Sequence, residues 1–366
     1  MKAVIPCAKK KEGLFPFSES KPTALMPVMG KALVKHNIEA LRDNGVDEVY
    51  LVTNYLEEKF EQEFGERTDV NIVHQEEVTG TASALKKVDF IEDDFLVVNG
   101  DVIVSENDLE SLLTHHENND STVTLLGTDE SKPEKFGVLS ITNDDVVDIR
   151  EKPDTPENNL INTGIYVFTP EIFREIDELE ESQKSVTDAV KNLAGREEVK
   201  YELIDDYWID INSPEKLWEA DKIKREFEIT ETDTGNAKIS ENAEIKGKAK
   251  IEKGAKIKSG TVIEGKAFIG KNSVVGPNTV LRDSTVTKNS QVRNANVEEG
   301  LLFERCIVDP QVHLENFILG EESDVKSGTV IRESFIGARS FIEMNNSIYG
   351  KKFVPDARTD LSEISK

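Results

Sequence analysis

The chain has 366 residues, 71 Asp and Glu against 45 Lys and Arg, and a formal net charge of −26. That length accommodates two cores, and the acidic excess argues against nonspecific binding to nucleic acid or an anionic membrane. Cys7 and Cys306 lie far apart and read as neither a disulfide framework nor a zinc site, while the lack of a leader or long apolar run makes a soluble cytoplasmic protein the expectation.

Met1–Cys7 reads as an apolar opening strand, with Cys7 a small buried residue. A helical pattern begins at Gly30-Lys31-Ala32-Leu33 and runs to Asn44, where Gly45 stops it. Between strand and helix lies a lysine loop. Residues 1–35 hold seven lysines and two acids, so Lys9, Lys10, Lys11 and Lys21 read as an anion-binding loop in an acidic chain. The alternative is a solvated charge run.

Apolar runs at Glu48–Thr53, Val70–Gln75, Phe95–Asn99 and Thr122–Leu126 then alternate with helical patterns at Tyr55–Phe64, Thr81–Val88 and Glu106–His116. This alternation predicts a Rossmann-like α/β domain with a mostly parallel sheet and helices on both faces. Thr169-Pro170-Glu171 and Ser213-Pro214-Glu215 mark two helix starts, each a cap before proline. The last helix runs to about Phe227, and residues 229–236, including the polar stretch Thr230–Gly235, read as a linker.

Beyond it the period becomes six. Ile239, Ile245, Ile251, Ile257, Ile263, Ile269, Val275 and Leu281 each follow a small residue two places earlier, from Ala237 to Thr279. Period six fits a parallel β-helix with an aliphatic residue inside each turn and a small one at each corner. The rhythm slips near Val297 and Val325 and resumes at Ile336, Ile342, Ile348 and Val354. The predicted domains are therefore 1–228, a β-helix at 237–354, and a tail at 355–366.

Several segments carry candidate chemistry. Asp101 follows the buried run Phe95–Asn99, and Asp210 ends the apolar run Trp208-Ile209. Two fixed carboxylates suit Mg²⁺ chemistry on phosphates. Gly80 before Thr81 and Ala82 exposes backbone N–H groups at a helix start, and Gln75 offers an amide that donates and accepts. A plain strand–Gly–helix turn is the alternative there.

The order of these motifs resembles the sugar-1-phosphate nucleotidyltransferase family, with a C-terminal left-handed hexapeptide β-helix. The family's opening signature is Gly-x-Gly-Thr-Arg-Leu-x-Pro followed by Pro-Lys-x-Leu-x-Pro-Val. Here Lys9 and Lys11 stand at the glycines, Gly13 at the arginine, and Thr23 at the lysine. The resemblance implies that Asp101 and Asp210 share a Mg²⁺ ion and that Gln75, Gly80, Thr81 and Ala82 read the base. It also places Gly137 in Phe136-Gly137-Val138, Glu151 and Lys152 in Glu-Lys-Pro, and Asn162 and Gly164 in Asn-x-Gly around the sugar phosphate. Ser185 stands where the family usually has glutamate, ahead of Thr187-Asp188.

Three functions follow. The first is an enzyme joining an NTP to a sugar 1-phosphate, its lysine loop serving as the catalytic triphosphate grip. The second is an inactive paralogue that binds an NDP-sugar and regulates or scaffolds an active partner. The third adds acetyl transfer, but His313 is the one histidine in the β-helix, reads as a solvated turn residue, and no Asn-Leu-Arg run follows Asp356. The resemblance implies a homo-oligomer assembled through the β-helix, or a hetero-oligomer with an active paralogue.

Overall fold

The opening apolar run forms β1 (Lys2–Pro6), flanked in parallel by β2 (Glu48–Thr53) and β4 (Phe95–Val98), with β3 (Val70–His74) beyond β2. Strands β1, β2 and β4, largely buried on both faces, are near-continuous apolar runs, as parallel strands between helices must be, while β3 at the sheet edge keeps only Val70 buried. The computed structural model describes residues 1–119, 121–180 and 185–359. They divide into two units, one comprising 1–10, 22–25 and 33–210, the other 11–21, 26–32 and 211–366. By contact, then, two pieces of the N-terminal segment and residues 211–228 group with the β-helix.

The first unit is an α/β sheet of nine strands. After the ribbon strand β5 (Val102–Val104) come β6 (Val123–Asp129), β7 (Gly137–Thr142), β8 (Asp145–Glu151), β9 (Leu160–Phe168) and β10 (Val199–Leu203). Sheet order is β3-β2-β1-β4-β9-β6-β10-β8-β7. The expected parallel pairing holds through β3-β2-β1-β4. Strand β9 then runs antiparallel to β4 and β6, and β7–β8 form a hairpin. The hairpin turn is Asn143-Asp144, with φ of 50° and 69°, the two-residue geometry that matches strand twist.

Helices α1 (Leu33–Asp43), α2 (Glu57–Phe64), α3 (Thr81–Leu85), α4 (Glu106–Glu117), α5 (Glu171–Asp177) and α6 (Val186–Ala194) belong to this unit. The pattern read from Gly30 begins as helix only at Leu33, because Met29-Gly30 turn a small hairpin between Pro27–Val28 and Lys31–Ala32. No helix among the described residues is long and apolar enough to cross a membrane.

The second unit also contains α7 (Pro214–Glu228), capped as expected by Ser213, whose hydroxyl accepts from the Lys216 N–H. At α5 no side chain makes such a cap. The predicted linker is structured: the Asp233 N–H donates to Ala249 O, and the Ile251 N–H to Asp233 O. The β-helix follows as three stacks of parallel strands, the left-handed hexapeptide class expected. Lys256 pairs beneath Val274, eighteen positions on, but Val274 pairs with Gln291 after seventeen and Gln291 with Ile307 after sixteen. The slipped rhythm is thus coil shortening at corners, with the strand stacks kept in register.

Ile251, Ile257, Ile263, Ile269, Val275 and Leu281 fill the interior. Ile239 is 37% exposed because it sits on the first coil, with no coil beneath. At the other end Phe353 faces inward, and Val354 packs only partly against the core. Corner hydroxyls are buried yet satisfied: Ser273 donates to Thr287 O and Ser323 to Gly337 O. His313 is a strand residue, its Nδ1 beside the Asn296 amide, not a solvated turn. Tail residues 360–366 lie outside the described residues.

Ile257→Ala should cost about 2–5 kcal/mol, since a rigid stack cannot collapse around the cavity. Equilibrium urea unfolding measures it, and a loss under 0.5 kcal/mol would be incompatible with a packed interior at this position.

Candidate functional site

Strands β1 and β4 run parallel and end on one sheet edge, where open α/β sheets present groups to ligands. Asn99, Gly100 and Asp101 follow β4 directly. A Cβ at Gly100 would lie 2.5 Å from Cys7 Sγ and 2.7 Å from Pro6 O, so only glycine lets this turn pass. Asp101 leads into β5, and β11 (Trp208–Asp210) pairs antiparallel with it, setting Asp210 opposite Val102. Two half-buried carboxylates from distant stretches therefore occupy neighbouring positions at one end of a ribbon.

Two residues that sequence reasoning missed hold this ribbon. Buried Asn37 on α1 donates its amide to Val102 O at 2.8 Å. Buried Asp108 on α4 accepts from the backbone N–H groups of Asp205, Asp206 and Tyr207, fixing the turn that enters β11. The pattern Ser105-x-x-Asp108 was its signal, a helix-start signature whose carboxylate here has a second task.

Beside the ribbon, β9 bulges. Asn162 pairs with Gly127 and Tyr166 with Leu125, leaving an irregular stretch between. Gly164 sits there at φ +80°, and a Cβ on it would lie 2.1 Å from Asn99 Nδ2. Asn99 N–H donates to Gly164 O at 3.3 Å, and Trp208 Nε1 to Thr163 O at 3.1 Å, binding bulge, ribbon and Asn-Gly-Asp turn together. Gly137 faces Glu151 across the β7–β8 hairpin, and a Cβ on it would be 3.1 Å from Glu151 Oε2 and 3.7 Å from Asn162 Cβ. Lys152 takes φ +46°, its N–H donating to Phe136 O. Its Nζ stands 3.3 Å from Glu151 Oε1, with both side chains well exposed. Asp101, Asp210, Gly137, Glu151, Lys152, Asn162 and Gly164 thus fall on linked elements of one unit.

Burial above all, then the Asp101 carboxylate, push the Cys7 thiol far above its ordinary range, as expected of an inert packed residue. Burial also pushes the Tyr166 hydroxyl up to about 12 while it accepts from Asn162 Nδ2. Among the described residues no group of three or more His, Cys, Asp or Glu is placed to hold a metal alone. The Asp101–Asp210 pair nonetheless fits Mg²⁺, which is commonly held by one or two carboxylates plus substrate phosphates.

Gly164→Ala should destabilise the first unit by about 1–3 kcal/mol through left-handed strain and the clash with Asn99. Chemical denaturation reads this; a change within 0.5 kcal/mol would mean the bulge is soft.

The other two groups of predicted residues fare differently. Gln75 is buried, and its amide nitrogen donates to Glu77 O, Gly80 O and Ser83 Oγ, so it organises the turn. Gly80 is extended, with φ 168°. Thr81 Oγ1 accepts from Val186 N–H, tying α3 to the start of α6, where Ser185 and Asp188 form a capping box. Ala82 is buried beside it.

The four lysines are divided between the two units. Lys9 and Lys10 belong to the first unit, with Lys10 Nζ 5.5 Å from the Tyr55 ring centre. Lys11 and Lys21 belong to the second, where Lys21 Nζ pairs with Glu321 Oε2 at 2.6 Å and both are largely buried. The loop turns Lys21 onto the β-helix. Gly13 lies against Asn212, whose carbonyl oxygen would be 2.4 Å from a Cβ, so an arginine is sterically refused. Thr23 is buried.

A family model described as nucleotidyl transferase matches residues 10–226, and one described as GMPPB C-terminal domain matches 235–354. Bifunctional protein GlmU of Methanocaldococcus jannaschii is 36% identical over 227 residues, covering 61% of this chain and 54% of that protein. A bifunctional sugar-1-phosphate nucleotidylyltransferase/acetyltransferase of Sulfurisphaera tokodaii is 33% identical, covering 61% of this chain and 55% of that one. The chain therefore spans little more than half the length of either relative. A provisionally assigned glucose-1-phosphate thymidylyltransferase from Bacillus anthracis, solved with sucrose, superposes at a TM-score of 0.56 with 25% identity. It covers 60% of this chain and 94% of that one.

Proposed function

The chain belongs to the nucleotidyl transferase family, and we propose that it joins an NTP to a sugar 1-phosphate, releasing pyrophosphate and leaving an NDP-sugar. A phosphate oxygen of the sugar phosphate attacks the α-phosphorus in line, and the bond to pyrophosphate breaks. The attacking oxygen is already anionic, so positioning and charge neutralisation carry the reaction rather than a base. The observation that carries this reading is the pairing of β5 with β11, which sets Asp210 beside Asp101.

Asp101 and Asp210 would hold Mg²⁺, which supplies charge neutralisation on the phosphate oxygens when bound. Glu151 would accept from sugar hydroxyls, Lys152 would meet the sugar phosphate, and the Asn162–Gly164 bulge would bring backbone against the ring, with Gly137 keeping that approach open. Lys9, Lys10 and Lys11 are the candidates for the triphosphate, while Lys21 is engaged by Glu321. The backbone of Gly80, Thr81 and Ala82, shaped by Gln75, would meet the base. A cytoplasmic location and assembly through the β-helix belong to the same proposal.

A pyrophosphate-release screen over the common NTPs and sugar 1-phosphates with Mg²⁺ tests it. Release with at least one pair supports the enzyme, and silence across the screen overturns it. A second reading, an inactive paralogue that binds an NDP-sugar and regulates a partner, draws on the Lys21–Glu321 pair and on the refusal of arginine at Gly13. Silence combined with NDP-sugar binding would select it.

A further inference from the structure

The ribbon of β5 and β11 is three pairs long, with Val104 opposite Trp208, Ile103 opposite Ile209 and Val102 opposite Asp210. Two short strands alone are marginal in water, so groups outside the ribbon must fix their register. Each strand has one buried anchor from a helix of the same unit. Asn37 on α1 holds β5 through Val102 O at 2.8 Å, and Asp108 on α4 holds the turn ahead of β11.

Asp108 is 1% exposed, and both of its oxygens are filled. Oδ1 accepts from the Asp205 N–H at 2.7 Å and the Asp206 N–H at 3.3 Å. Oδ2 accepts from the Ser105 hydroxyl at 2.5 Å and the Tyr207 N–H at 3.3 Å. In a capping box this carboxylate would take the Ser105 N–H. Here that N–H donates to Tyr207 O at 3.3 Å, and the carboxylate serves the arriving segment instead of its own helix. Asn107 adds a bond from its amide to Asp206 Oδ2 at 2.9 Å. Asp210 follows three residues after Tyr207, with no loop between.

We propose that Asp108 is a positioning residue for the metal pair: its carboxylate sets where β11 begins, and so where Asp210 stands against Asp101. This rests on the reading of Asp101 and Asp210 as the Mg²⁺ carboxylates. With four donors on two oxygens, Asp108 has no acceptor site left for a metal and acts only by orienting a residue that does.

The test uses the full-length protein with Asp108→Asn, which keeps the shape of the side chain but turns an N–H₂ group toward backbone donors. Ile176→Ala, in the packed core of the same unit, is the control for lost stability alone. Three quantities are read. They are hydrogen exchange at residues 205–210 relative to β1 and β4, Mn²⁺ binding without nucleotide by electron paramagnetic resonance, and pyrophosphate release across a Mg²⁺ titration. Mn²⁺ serves as the probe because it takes the same oxygen ligands. Asp108→Asn should speed exchange selectively in 205–210. It should also weaken Mn²⁺ binding and raise half-saturating Mg²⁺ by about tenfold, the scale of losses at partners that orient metal ligands. At saturating Mg²⁺, kcat should stay within about threefold of the wild type, because both carboxylates remain. Ile176→Ala should speed exchange throughout the unit and leave the Mn²⁺ and Mg²⁺ dependence unchanged.

Unchanged Mn²⁺ affinity and Mg²⁺ dependence in Asp108→Asn would overturn the inference while leaving the enzyme reading intact. The same shift in Ile176→Ala would overturn it too, since lost stability would then be the cause. If the wild type shows no turnover with any substrate pair, the enzyme reading fails, and Mn²⁺ binding with exchange decides the inference. A wild type that neither binds Mn²⁺ nor responds to Mg²⁺ overturns the metal reading and the inference together. Should Asp108→Asn not fold, Ser105→Ala carries the test. It removes one of the four donors and keeps the three backbone ones, so a smaller shift in the same direction is expected, and no shift overturns the inference.

Discussion

Asp101→Asn should lower turnover by about a thousandfold or more while the protein stays folded, if the two aspartates hold the metal. Asparagine keeps the shape of the side chain but removes one negative charge and turns an acceptor into a donor. With Asp210 left alone, one carboxylate would have to fix an ion otherwise held only by substrate phosphates and water. Asp210→Asn should fall to a similar level. The double variant should be scarcely worse than either single one, because groups that act as a unit do not lose additively. Raising Mg²⁺ in the assay should restore part of the single-variant activity by mass action. The fold should tolerate the change, since Asp101 is only half-buried and the turn depends on Gly100 and on the Asn99–Gly164 contact. Pyrophosphate release across a Mg²⁺ titration is the measurement, with circular dichroism as the control. Full activity in Asp101→Asn would remove both carboxylates from the mechanism.

The features legible in the sequence were those written locally. Period six follows from one aliphatic residue per face, repeated whatever the rest of the fold does, so Ile251 to Leu281 were placed inside correctly. The place of Asp101 just beyond a strand was visible because the buried run Phe95–Val98 ends before it. What failed to show is pairing between distant residues. Gln75 looks like a presented amide until the turn from Glu76 to Ser83 closes over it. Asp108 looks like a helix cap, and only the arrival of residues 205–207 gives it three backbone donors. The lysine loop is the sharpest case. Clustered charge proposes a common ligand, but an acid three hundred residues away pairs with Lys21. Coil shortening was half visible, as a slipped rhythm without its cause.

Asp221→Ala should destabilise the second unit by about 3–5 kcal/mol, although on sequence grounds Asp221 and Arg225 are an ordinary i,i+4 pair on a polar helix. In α7 they are 0% and 1% exposed. Asp221 Oδ2 accepts from Arg225 Nε at 3.0 Å and from Thr285 Oγ1 at 2.8 Å, while its Oδ1 takes the Met29 N–H. Arg225 also donates to Lys266 O at 2.7 Å. Alanine at 221 would strand the guanidinium without its counter-charge and leave two donors unsatisfied in a dry place. The size of the loss comes from what remains, not from the pair itself. Asp221→Ala combined with Arg225→Met should therefore recover much of the stability, because a methionine fills apolar space without needing a partner. Urea unfolding of the three variants measures both effects. A single-variant loss under about 1 kcal/mol would mean that water reaches the pair. A double variant as weak as Asp221→Ala would mean that the stranded arginine is not the cause.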